Sequence, residues 1–313
     1  MFIISPRGGL CNQLQTIVKG MLLAKKYNRN LYIDKFMIHY SKSTLVDINE
    51  ILNIAKINEF LINNNFNNFK ILENFEEDNF NKYYMKNVDY NKIMCMININ
   101  NYIEENSNMD IIYLGNIVSL EIYESFNYSW LDNNNLYFLF MKNIIFKDIF
   151  YEIRDKIKEN LDLKLYNCAH LRIEDDCIQY CAKLYKISEE EYNNKLLSFY
   201  SDNIQKFYDN DSKLKIYICS GILNFDNKIN YEYYQNLKLK YGNSIVDKND
   251  ILDQISNYSY ILENRELIAI VDLLIAFDSD QFIGNHFSSF SIYVGIYKGY
   301  FNKNSNVKLF NVT

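Results

Sequence analysis

The 313-residue sequence has little of what bends or specialises a chain: one proline (Pro6), one tryptophan (Trp130), nine glycines, three histidines and five arginines. It also lacks an excess of basic charge, with 33 Lys and Arg against 39 Asp and Glu, a net charge of −6. A mildly acidic chain is a poor match for a polyanion, so no nucleic-acid partner is expected. A small anion held in a local basic pocket is still compatible with that balance. No stretch reaches the ~18 uninterrupted apolar residues of a membrane helix. The nearest, "LIAIVDLLIAF", breaks at Asp272 and meets Asp278. The opening "MFIIS" has no basic flank and too short an apolar run for a secretory signal, so the expected compartment is the cytosol. The six cysteines (Cys11, Cys95, Cys168, Cys177, Cys181, Cys219) form no CxxC pair. Buried free thiols are expected, and Cys177-x3-Cys181 is only a weak metal signal.

Asn, Ile, Tyr and Lys are abundant instead, a skew that reads as mutational bias in the genome. Where Lys is the default cation, each Arg draws attention to its planar fork. With 49% hydrophobic and 16% aromatic residues, the chain can bury one large core or two. Short apolar runs alternate with segments of helical period, the pattern of α/β architecture. "FIIS" (2–5) leads through a Gly loop into the amphipathic "QLQTIVKGMLLAKKY", then into the strand "NLYID" (30–34). Residues 47–62 look helical, and 63–92 read as a long Asn-rich insertion. "MCMINI" and "DIIYLG" are strand candidates, and 147–161 an amphipathic helix. The pattern restarts with strand 165–172 and helix 188–208. Strand 215–221, helix 228–241, strand 243–247 and helix 263–277 follow, then strand 281–285 and the helix opening "SSFS". Two Rossmann-like α/β domains are expected, 1–162 and 163–313, and the cleft between such domains is a favoured ligand site.

Three segments could carry chemistry. In "SPRGGLCNQLQ", Gly8 and Gly9 precede a helix whose first N–H groups could meet an anion. The loop has neither a Walker GK[ST] nor a GxGxxG pattern. A plain strand-to-helix turn capped by Asn12 is an equal reading. In "AHLRIEDDC", His170 and Arg172 lie two apart on a strand and so share a face where the strand should end. Arg172 could fork onto phosphate oxygens and His170 could bond a ribose or phosphate. The plain alternative pairs Arg172 with Asp175 or Asp176 on a solvated loop. In "DLLIAFDSDQFIGNHFSSFS", a strand ends at Gly284-Asn285, His286 lies in the turn, and Ser288 and Ser289 open a helix suited to phosphate. Ser288 could equally be a simple N-cap. Asp272 is either an exposed helical residue or an acceptor for a base such as guanine; buried without a donor it would be costly.

Taken together and in this order, the segments resemble the GDP-fucose-dependent O-fucosyltransferases of the GT-B clan, the protein O-fucosyltransferases above all. The matching parts are the Gly-rich opening with Asn-Gln, the His-x-Arg-x-x-x-Asp signature at His170, Arg172 and Asp176, and the Asp followed by Gly-Asn and Ser-Ser-Phe. They cover under a quarter of the chain, and residues 40–160 carry no resemblance. The resemblance implies a GT-B-like fold, two Rossmann-like domains facing each other across a cleft. The N-terminal domain would lie on the acceptor side and the C-terminal one would bind GDP-fucose. It implies inverting, metal-independent transfer of fucose to a hydroxyl of a protein Ser/Thr or a glycan. Arg172 would grip the pyrophosphate, Asn12 would lie on the fucose and phosphate side with Gly8 and Gly9, and His170 would sit near the ribose. Asp272 would read guanine. Asn285, Ser288, Ser289 and Phe290 would line the pocket, and Asp176 would hold the signature loop. Many relatives carry an Arg three residues before the loop Asn. Gly9 stands there in this chain, which leaves Arg7 as the expected substitute. No general base is assigned: Glu174 and Asp175 are candidates, although a solvated pair is the simpler reading of both. The alternatives are a catalytically inactive nucleotide-sugar or glycan-binding protein on the same scaffold, or an enzyme using another nucleotide sugar.

Overall fold

The protein is described by a computed structural model covering residues 1–39, 44–76, 82–84, 94–117, 120–121, 136–221, 230–299 and 306–312. It divides into two compact units, Met1–Lys147 and Asp148–Thr313.

The first unit runs β1 (Phe2–Ile4), α1 (Leu10–Tyr27), β2 (Leu31–Ile33), β3 (Lys35–His39), β4 (Thr44–Asp47), α2 (Ile54–Asn63) and β5 (Ile71–Leu72). It continues through β6 (Lys82–Tyr84), β7 (Met94–Cys95), α3 (Met96–Glu105), β8 (Ile111–Gly115), β9 (Leu120–Glu121) and α4 (Leu136–Lys142). Its main sheet has the order β5-β2-β1-β8-β6 with every pairing parallel. β1 is therefore central and fully buried, as its unbroken apolar run requires. α1 buries Leu14, Ile17, Val18 and Met21, whose three-to-four-residue spacing puts them on one face. Asn28 closes it in the left-handed conformation, φ 52°. Two expectations change here. Only Met94 and Cys95 of "MCMINI" are strand, and the helix from Met96 buries Ile99 and Ile103, four apart. In the segment 47–62, Asp47 ends the antiparallel partner of β3, Ile48–Glu50 form a 3-10 turn and the α-helix begins at Ile54. Residues 77–81 and 85–93 of the Asn-rich insertion, and Trp130, lie outside the described residues.

The second unit runs α5 (Asp148–Asn160), β10 (Tyr166–His170), α6 (Asp175–Tyr185), α7 (Glu189–Asn210), β11 (Lys215–Cys219), α8 (Tyr231–Tyr241) and β12 (Ile245–Val246). Then come α9 (Leu252–Ile255), α10 (Ser259–Leu262), α11 (Arg265–Asp278), β13 (Phe282–Asn285), α12 (Ser289–Tyr297) and β14 (Val307–Phe310). All five strands are parallel in the order β12-β11-β10-β13-β14. That is the doubly wound order, and the chain changes direction across the sheet between β10 and β13. One face packs α6, α7 and α8 through Ile178, Tyr192, Leu196, Tyr200, Ile204 and Leu237. The division after Lys147 falls earlier than the expected 162/163, because α5 packs on α11 within the second unit. The expected start of α8 at 228 lies partly outside the described residues.

Candidate functional site

Open parallel sheets bind ligands at the carboxyl ends of their strands, where the winding reverses. In the second unit that place is the end of β10 beside β13, and it collects His170, Arg172, Asn285 and the start of α12.

His170 ends β10 with its Nδ1 2.8 Å from the Ser291 hydroxyl and its ring 4.4 Å from that of Phe290. Ser291 Oγ also accepts the Asn285 amide N–H at 3.1 Å. The network is complete when Ser291 donates to Nδ1, which puts the ring proton on Nε2 as a donor. Burial, with Arg172 and Lys248 adding repulsion, pulls the imidazole down to about 3, so it is neutral at physiological pH. A Cβ at Gly284 would overlap the Ser291 hydroxyl, so this close approach of strand and helix needs glycine there.

Two residues on, Arg172 is held by carboxylates. Nη2 bonds Asp176 at 2.7 Å, and Nη1 stands 2.7 Å from Glu174 Oε2. The second contact lacks hydrogen-bond alignment, and both of its atoms are shielded from solvent without another partner. Burial works against the guanidinium charge, but Glu174, Cys177 and Asp176 outweigh it and hold the pKa above its ordinary value. Burial likewise pushes the Asp176 carboxyl up, and Arg172 above all reverses this and holds it below its usual range. Tyr200 pins the turn by donating to the His170 carbonyl at 2.7 Å. The plain alternative holds in part: Arg172 does pair with Asp176, whose side chain is 69% exposed, but "EDDC" is no loop, since Glu174 is the buried N-cap of α6 and Asp175 and Asp176 form its first turn. The four-residue spacing of Cys177 with Cys181 and Ile178 with Ala182 was the available helical signal. The two thiols lie 3.8 Å apart, and Cys11, Cys168, Cys177, Cys181 and Cys219 are buried and outside any disulfide.

At the other wall, Ser288 is the N-cap of α12 but its hydroxyl makes no cap bond, so plain capping does not account for it. Ser289 and Phe290 follow in the first turn, whose amides are the ones a helix leaves without intrahelical partners. Asn285 departs from its expected role. It is fully buried, donating to Tyr192 at 3.1 Å and accepting the Phe287 N–H at 2.9 Å, so it shapes the turn and presents nothing to a ligand.

Asp272 is buried and paired, unlike either sequence reading taken alone. Lys248, 2% exposed, donates to Oδ2 at 2.7 Å and Tyr217 to Oδ1 at 2.8 Å. Burial pushes its carboxyl up against the pull of Lys248 and Tyr217. A base could meet Asp272 only at the lone pairs these two donors leave. Lys248, 24 residues upstream, gave no signal in the sequence.

The opening loop belongs to the first unit and follows β1, the strand at which that sheet's winding reverses. Gly8 has φ +89°, a conformation side chains resist, and packs its backbone beside Asn12. Gly9, not Asn12, is the N-cap; its φ of −65° is open to any residue. Asn12 is the third helical residue, so the capping alternative fails for it. Gln13 is fully buried and ties the loop down: its side-chain amide donates to the Gly8 and Met37 carbonyls at 2.9 and 2.8 Å and accepts the Met37 N–H at 2.8 Å. Arg7 donates to the Pro6 carbonyl at 2.8 Å and the Lys35 carbonyl at 3.3 Å.

No protein-family model and no curated protein matches the chain in sequence. Solved structures do match it. The crystal structure of POFUT1 in complex with GDP-fucose is similar at a TM-score of 0.63 and 11% identity, covering 100% of this chain and 98% of that one. The fucosyltransferase NodZ from Bradyrhizobium is similar at 0.51 and 12%, covering 94% and 91%. The α/β fold with two parallel sheets is thus that of GT-B fucosyltransferase structures, over nearly the whole chain. No described helix is long and apolar enough to cross a membrane.

Proposed function

We propose that the protein is an inverting, metal-independent glycosyltransferase that moves fucose from GDP-fucose to a hydroxyl of a protein or glycan. The observation that carries this reading is Arg172, one of five arginines, at the reversal point of a parallel sheet and two residues past His170, which packs on Phe290 and Ser291 of α12. Such a site can bind a diphosphate and stabilise the charge that builds on it as the sugar leaves. In the reaction the acceptor oxygen attacks the anomeric carbon from the face opposite the diphosphate. The C1–O bond to phosphate breaks with its electron pair leaving on GDP, and the acceptor's hydroxyl proton passes to solvent water. Arg172 balances the charge on the departing oxygens. Ser288, Ser289 and the α12 amides supply fixed donors, and neutral His170 offers Nε2–H to a ribose or phosphate oxygen. Phe290 and the remaining lone pairs of Asp272 would face the base. Asp176 holds Arg172, while Gly8, Gly9, Asn12 and Arg7 are assigned to the sugar and phosphate side. Glu174 sits buried against Arg172 and is a poor general base.

GDP is expected to raise the melting temperature of the wild-type protein, and Arg172→Ala to abolish the rise. Equal stabilisation of both proteins would remove Arg172 from the site, and a larger shift with UDP would reassign the nucleotide. A second reading, a binding protein without turnover, draws support from Gly9, which has no side chain where relatives place an Arg. GDP release from GDP-fucose across a panel of acceptors separates the two readings.

A further inference from the structure

A second arginine lies near the same carboxylate without pairing with it. Arg265 opens α11 as its first helical residue, after the N-cap Asn264. The positive end of the helix dipole makes that an unfavourable place for a cation unless an anion is near. Among the described residues Arg265 makes no hydrogen bond or ion pair. Its guanidinium converges with Glu174 on the backbone of Gly221, just past the end of β11. A Cβ at Gly221 would stand 2.6 Å from Glu174 Oε1 and 3.5 Å from Arg265 Nη2. Asp176 feels the same charge, which helps to lower its carboxyl. Glu174 therefore has one arginine in contact and a second nearby beyond ion-pair range, its side chain 8% exposed, with Oε2 and Arg172 Nη1 close but unaligned. Two cations beside one largely buried carboxylate, one of whose oxygens is shielded and unbonded, is the charge pattern of an anion site holding an internal substitute.

We propose that Arg265 is a second cation of the diphosphate site and that Glu174 is its built-in competitor, which an incoming ligand displaces from Arg172. This rests on the functional reading above. To be displaced, the carboxylate must meet a group carrying more negative charge than its own. Glu174 thereby selects diphosphates over single phosphates and keeps weaker anions out.

The test measures affinities for inorganic pyrophosphate, GDP and GMP by calorimetry in the wild type, Glu174→Gln, Arg265→Gln and the double variant. Each protein's ligand-free melting curve confirms that it is folded. Glu174→Gln is expected to bind pyrophosphate about tenfold tighter and to narrow the preference for GDP over GMP. Arg265→Gln is expected to lose about tenfold for pyrophosphate and to cancel that gain in the double variant. Glu174→Asp, which keeps the charge but shortens the reach, should fall between wild type and Glu174→Gln. Unchanged or weaker pyrophosphate binding by Glu174→Gln overturns the proposal. So does an unchanged Arg265→Gln, or the absence of pyrophosphate binding in both the wild type and Glu174→Gln. The expected pyrophosphate pattern without preference for GDP over UDP upholds this inference and removes the guanine reading. GDP binding that is indifferent to Glu174 does the reverse.

Discussion

Individual side chains in the second unit matter through the charge they hold or lack. His170 is buried neutral, its pKa drawn from 6.5 to about 3, mainly by burial. The unfolded chain takes up that proton near pH 6.5 and the folded one does not. The associated stability is therefore full above pH 6.5 and is lost as pH falls toward 3. Between pH 7 and 5 this one group should account for about 2 kcal/mol of lost stability, absent in His170→Gln. Urea unfolding of both proteins at the two pH values checks it; equal losses would mean that the imidazole is not buried neutral. Lys248 behaves differently, because its charge answers that of Asp272. Lys248→Met leaves a buried carboxylate without its cation and should cost about 3–5 kcal/mol. Lys248→Met with Asp272→Leu should recover much of that loss in the same denaturation assay.

At the level of elements, the loops that matter are positioned by buried amides. Gln13 ties the Gly8 turn to β3 through three bonds, and Asn285 ties the β13–α12 turn to α7. Gln13→Ala removes the partner of the buried Met37 N–H and should cost about 1–3 kcal/mol. Hydrogen exchange should quicken at Gly8, Gly9 and Met37 in that variant, while the amides of α7 and β11 keep their protection. Much of this level was legible in the sequence. Short, mainly apolar runs point to β1, β10, β11 and β13, and the helical segments between them to α1, α5, α7 and α11. The errors have local causes. "EDDC" admits a solvated loop as an alternative because acidic clusters often follow strands, although Cys177 and Cys181 have helical spacing. "MCMINI" reads as a strand because a short apolar run has no distinctive period, and the burial of Ile99 with Ile103 decides for a helix from Met96.

At the level of the whole molecule, an acidic chain of net charge −6 carries Arg172 and Arg265 near the carboxyl ends of β10 and β11. Binding of a diphosphate there should weaken as salt screens those cations. The GDP-induced rise in melting temperature is expected to shrink between 50 and 300 mM NaCl in roughly the manner of a one- or two-charge contact. Uncharged guanosine serves as the control, and its effect should not change. A duplex oligonucleotide should give no shift at the higher salt, since the rest of the surface repels it.

The sequence by itself determined the alternation of strands and helices, and the residues that end β1, β10 and β13, because apolar periodicity and rare residue types are local properties of a chain. It also singled out Arg172, His170 and Ser288. Only the tertiary structure decided what each of them meets. Arg172 faces Glu174 and Asp176, Asp272 faces Lys248, and Asn285 is turned inward. Gly221 brings Arg265 beside Glu174 from an element more than ninety positions away along the chain. Pairing across such separations depends on which strands lie side by side. That order follows from how the whole core packs and is not encoded in any short stretch of residues.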